Sequence, residues 1–108
     1  MYTSNGIVQT VHKSGRKYLI HIQTGEMVEV IKRLDKTKVS FIRTMLSDDE
    51  VEQIRKELGI TILRRQEELS SEETLKVLKK MAKTYKRNFD GNNFLKVTFN
   101  YNSKEIVV

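Results

Sequence analysis

The chain of 108 residues contains no cysteine and no proline. Without thiols there is no disulfide, no thiolate nucleophile and no cysteine-based zinc or iron–sulfur site. Without proline there is no proline-rich docking segment, and continuous elements joined by glycine and asparagine turns are expected instead. The five glycines (Gly6, Gly15, Gly25, Gly59 and Gly91) are isolated from one another, which excludes a glycine-rich phosphate loop. Of the two histidines, neither His12 nor His21 has metal-site spacing or a meander carboxylate placed to orient it. Glu72 and Glu73 are accounted for by helix capping, and Glu67-Glu68 is flanked by arginine. An enzyme is therefore not expected, and neither is a cofactor or a metal.

Long apolar runs are missing too. Nothing approaches the roughly 20 residues of a membrane span. The opening "MYTSNGIVQTVHKSG" lacks the apolar core of a secretory signal, so the expectation is a cytoplasmic protein with no membrane partner. Hydrophobic residues make up 38% and charged residues 31%, proportions that suit a folded globule over a disordered tail.

What is present reads as a single α+β domain over residues 1–108. It divides into an antiparallel β-meander (1–46), a helical segment (47–88) and a terminal β-hairpin (89–108). "GIVQTVHK" and "RKYLIHIQ" flank Ser14-Gly15, a two-residue turn that sets Val11 against Tyr18, Gln9 against Ile20 and Ile7 against Ile22. One face of the meander is then largely apolar. For the next turn, a three-residue "QTG" loop with Gly25 left-handed sets Ile20 opposite Val28 and Tyr18 opposite Val30. A two-residue loop would put Glu29 opposite Ile20 and is disfavoured. A fourth strand is expected over Lys38–Thr44, with Val39, Phe41 and Arg43 on one face.

"SDDE" and "SSEE" each place a serine three residues before a glutamate, the signature of a capping box at a helix start. The first helix carries Val51, Ile54 and Leu58 on one stripe and ends at Gly59. The second carries Leu75, Leu78, Met81, Ala82 and Tyr85. Between them Ile60–Arg64 is read as a short strand, with a helix as the alternative. After the turn cluster Asp90–Asn93, folding about Asn102-Ser103 sets Phe99 against Ile106 and Val97 against Val108. Tyr18, Phe99 and Tyr101 are assigned to the core, and Phe94 is expected to be exposed.

Charge is the least even property. Residues 1–46 hold 8 cations and 3 anions, residues 47–73 hold 4 and 9, and residues 74–108 hold 8 and 2. With Leu75 set at zero on a wheel of about 100° per residue, Lys76, Lys79, Lys80, Lys83, Lys86 and Arg87 fall between about 20° and 140°. The apolar residues of the same helix lie opposite. Glu72 supports Lys76, but the later cations have no acid within four residues except Asp90. Such a run is either a solvated face or a contact for an anionic partner that relieves its self-repulsion. The partner is a nucleic acid, bound through phosphates without sequence readout, or an acidic protein surface. Lys13, Arg16 and Lys17 on the meander are expected to matter less. A homodimer through the edge of the terminal hairpin is compatible with either reading.

Two stretches resemble known structures. "GIVQTVHKSGRKYLIHIQTGEMVEVIKR" is similar to the opening meander of small OB and SH3-like β-barrels, which implies a closed barrel that binds RNA or protein. "IRKELGIT" resembles the first helix and turn of a helix-turn-helix, which implies a second helix directly after Gly59 with Leu69 late in it. Arg65 departs from that pattern, because a buried Val or Ile is usual there.

Overall fold

The computed structural model describes residues 8–33, 37–62, 64–89 and 95–108. Six strands line up in chain order: β1 (Val8–Lys13), β2 (Arg16–His21), β3 (Glu26–Lys32), β4 (Lys38–Thr44), β5 (Lys96–Tyr101) and β6 (Lys104–Val107). Every neighbouring pair is antiparallel except β4 and β5, which run parallel. The parallel step requires a long crossover, and α1 (Asp48–Leu58) and α2 (Ser71–Phe89) supply it. The α+β class, the fourth strand, both helices and the terminal hairpin all follow the sequence expectation. The sheet is open, with β1 and β6 at its edges, so the barrel implied by the first resemblance does not form.

Local chemistry explains most of these boundaries. Both tight hairpins turn on two residues with positive φ, Ser14-Gly15 and Asn102-Ser103, which matches the right-handed twist of the strands they join. Val11 faces Tyr18, Gln9 faces Ile20 and Phe99 faces Ile106, as expected. Val97 and Val108 exchange backbone hydrogen bonds. The pairing assigned to Ile7, and the positions of Phe94 and Asp90–Asn93, lie outside the described residues. Ser47 accepts from the Glu50 amide at 3.2 Å while the Glu50 carboxylate accepts from the Ser47 amide at 3.1 Å. Ser70 and Glu73 repeat the same box. Gly59 closes α1 in the left-handed conformation.

The β2–β3 register differs from the expectation by one residue. Ile20 faces Met27 and Tyr18 faces Glu29, because the connection is a four-residue turn, Ile22 to Gly25. The amides of Thr24 and Gly25 both donate to the His21 carbonyl. Gly25 is left-handed, as expected, with φ near 74°. The cause of the shift is that these strands are buried on both faces. Leu19, Val28, Val30, Val39, Phe41, Val97 and Phe99 meet Leu78, Met81, Ala82 and Tyr85 of α2 on one face. Ile20, Met27 and Val11 meet Val51 and Ile54 of α1 on the other. Neighbouring apolar residues such as Leu19-Ile20 and Met27-Val28 therefore serve opposite layers.

The link between the helices is also different. The described residues of Ile60–Arg64 form no strand, and the next regular element is a single 3-10 turn at Gln66–Glu68. No helix follows Gly59 directly, so the helix-turn-helix reading fails. A polar clamp holds the link instead. The Gln66 side chain accepts from the Leu46 amide at 2.9 Å and donates to the Thr44 carbonyl at 2.7 Å and to Glu26 at 2.8 Å. The fully buried Glu26 carboxylate also receives the Arg43 guanidinium at 3.0 to 3.1 Å. A buried charge persists only when it is met by such donors.

Candidate functional site

The two capping boxes determine where the acids go. On α2 the only carboxylates are Glu72 and Glu73, both in its first turn. Glu73 is taken by the Arg64 guanidinium and the Ser70 amide, which hold its carboxyl down near pKa 2. The Arg64 guanidinium is correspondingly pushed up by Glu73. From Leu75 onward the helix presents cations alone.

Lys76, Lys79, Lys80, Lys83 and Arg87, with Thr84, line one shallow groove of about 320 Å³ along the outer flank of α2. Lys86 is half-buried and lies outside that lining. The five cations that share the groove span about three turns and occupy one sector of the helix, as the wheel indicated. None of Lys76, Lys79, Lys80, Lys83 and Lys86 forms an ion pair among the described residues.

The acidic block does not fold against them. Its own arginines use its carboxylates: Arg55 pairs with Glu52, Arg64 with Glu73, and Arg65 with Asp48 and Glu67. The acids of α1 stand on the opposite side of the sheet from α2.

Below the groove the sheet contributes two features. His21 is buried, with Nδ1 sharing a hydrogen bond with Thr24 Oγ1 at 2.8 Å and Nε2 without a partner among the described residues. Burial, and then the nearby Lys80 charge, push its pKa down to about 4, so it is neutral at pH 7. The register shift also places Glu26 directly opposite His21, where the sequence reading found no carboxylate. That carboxylate is committed to Arg43 and Gln66. The second feature is Lys17, whose Nζ lies 5.5 Å from the centre of the Tyr85 ring.

A different cleft, of about 500 Å³, opens between α1 and the β1–β2 hairpin. Val11, Tyr18, Met27, Leu46 and Ile54 line it, with His12, Lys13 and Arg16 toward the hairpin and Glu50, Gln53 and Glu57 toward the helix. The charges at its rim have both signs and are partly engaged. Glu50 caps its own helix, Glu57 accepts from Gln53 at 3.0 Å, and Arg16 stands 3.9 Å from Glu29. Sequence periodicity missed this cleft because it depends on how α1 leans over the sheet.

Among the described residues there is no group of three or more His, Asp or Glu placed to hold a metal ion. No helix there is long and apolar enough to cross a membrane. No protein-family model matches the chain, and no curated protein or solved structure matches it either.

Proposed function

We propose that this chain is a non-catalytic binding protein that contacts nucleic acid phosphates through the outer face of α2. Lys76, Lys79, Lys80, Lys83 and Arg87 supply the groove-lining charge, with Lys86 beside them. The observation that carries this reading is that four lysines share one groove and form no ion pair among the described residues, while Glu52, Glu73, Asp48 and Glu67 pair with arginines elsewhere. Unrelieved repulsion among cations three and four residues apart disfavours the free helix modestly, and a row of phosphates relieves it. Lysine is a flexible point charge, so such a face fixes orientation on a backbone and reads no bases.

The test is a triple variant, Lys76→Gln, Lys80→Gln and Lys83→Gln. All three side chains are exposed, so thermal stability should stay within about 0.5 kcal/mol of the parent. Affinity for a duplex of generic sequence, read by fluorescence anisotropy, should fall at least tenfold at low salt. Unchanged affinity would remove α2 from the contact. A parent protein that binds no duplex at about 50 mM salt would favour an acidic protein surface as the partner.

A further inference from the structure

The sequence groups Lys13, Arg16 and Lys17 together on one hairpin, but the fold separates them. Lys13 and Arg16 border the cleft on the α1 side of the sheet. Lys17 shares the strand face of Leu19, which is the face that α2 covers, and its ammonium reaches the Tyr85 ring of that helix. Lys32 shares the face of Val28 and Val30 on the next strand, so it too emerges on the α2 side. Lys32 is exposed and Lys17 is half-exposed.

Lys17 lies two residues from Leu19 and Lys32 two residues from Val30 on paired antiparallel strands, so both stand on the α2 face toward the same end of the sheet. Partial burial, and then the Lys32 charge, push the Lys17 pKa down. The sheet therefore presents a second pair of cations beside the carboxyl-terminal half of α2, where Lys86 and Arg87 occupy the last turn. Three stretches of chain far apart in sequence converge on one basic surface.

We infer that the phosphate-binding surface continues from α2 onto the sheet, and that Lys17 and Lys32 are two further contacts for the same nucleic acid backbone. This extension rests on the function proposed above. A backbone followed by cations on two elements is held in direction as well as place, because a single helix face leaves rotation about the helix axis unrestrained. Tyr85 positions Lys17 for this role. Its ring is fixed by an edge-on contact with Phe41 at 5.7 Å and offers the ammonium a π face.

The experiment compares two double variants of the full chain with a generic duplex as probe. Lys17→Gln with Lys32→Gln should weaken binding several-fold at low salt and make the log–log salt slope shallower by about 2, since each lost phosphate contact removes about 0.9. Lys13→Gln with Arg16→Gln removes the same formal charge from the other face and should leave the slope within error. Lys17→Arg with Lys32→Arg should bind like the parent, because it keeps charge at both positions. If the Gln variant of the sheet pair unfolds, backbone amide shifts of the parent on duplex titration give the second reading. They should move at residues 17 and 32 together with residues 76–87. A sheet-pair variant that behaves like the Lys13/Arg16 control, in a parent that binds through α2, overturns the extension and leaves the α2 site standing. A parent with no duplex affinity overturns both.

Discussion

The two helices use charge in opposite ways. On α1 the acids Asp48, Asp49, Glu50, Glu52 and Glu57 alternate with Arg55 and Lys56, and its charges find local work. Glu50 caps, Glu52 pairs with Arg55, and Asp48 holds Arg65 across the link. On α2 the acids stop after the first turn and six cations follow. Their packing differs as well. The α2 layer is held by the larger apolar cluster, with Leu78 and Met81 almost without exposure, whereas the α1 layer has a smaller one; the Glu26–Arg43–Gln66 clamp stands on the α2 side, because Glu26 alternates with Val28 and Val30 and Arg43 with Phe41 and Val39. The lesson is that α1 resembles a helix whose charges serve its own fold. Lys76, Lys79, Lys80 and Lys83 of α2 form no ion pair among the described residues.

The largest expected effects test the packing half of that contrast. Leu78→Ala should cost about 3 to 4 kcal/mol in chemical denaturation, because it opens a cavity at the centre of the α2 layer. Ile54→Ala, at the margin of the smaller layer, should cost about 2 kcal/mol. Equal losses would mean that the two layers are equally well packed. Glu26→Ala should cost about 3 kcal/mol, since it leaves the Arg43 guanidinium and the Gln66 amide without their shared acceptor. A loss below 1 kcal/mol would show that water replaces the carboxylate there and that the clamp contributes little.

His21 links the sheet to the basic helix through pH. Its pKa near 4 lies below the ordinary 6.5, so the unfolded chain binds the proton more readily than the folded one. Stability is therefore complete above about pH 6.5 and falls as pH drops toward 4, by on the order of 2 to 3 kcal/mol. The groups around it are Thr24 on the following turn, Glu26 opposite and Lys80 on α2. Glu73, held near 2, contributes in a lower window and does not obscure the effect. Denaturation midpoints at pH 7 and pH 4.5 should differ in the parent and converge in His21→Leu. Parallel slopes in both proteins would assign the acid sensitivity elsewhere.

The smallest effects sharpen the helix starts. Ser47→Ala and Ser70→Ala should each cost about 1 kcal/mol. The Ser70 change should be the greater of the two, because Glu73 also anchors Arg64 and its orientation depends on the box. Equal losses would mean that Arg64 holds Glu73 without help from the cap.

Local signals made much of this fold legible. Serine-to-glutamate spacing located both helix starts, positive-φ turn residues located both tight hairpins, and periodicity found the apolar stripe of α2. The β2–β3 register was not legible from a model with one buried face. The adjacent pairs Leu19-Ile20 and Met27-Val28 are the signal that both faces are covered, and reading them so would have removed the preference for a three-residue loop. The Gln66 clamp was hidden for another reason: a glutamine in a charged link looks like a surface residue until Glu26, Thr44 and Leu46 converge on it. Within the candidate site, the α2 cations could be read from their spacing. Lys17 and Lys32 could not, because only strand pairing and helix placement set Lys17 beside Tyr85 and Lys32 on the same side of the sheet.

The most direct measurement of the central claim is the salt dependence of duplex binding by the unaltered chain, read by fluorescence anisotropy. If the five groove cations of α2 and the two of the sheet engage phosphates, log affinity should fall linearly with log salt concentration at a slope of roughly −6. No binding at about 50 mM salt, or binding with a slope near zero, would contradict the account.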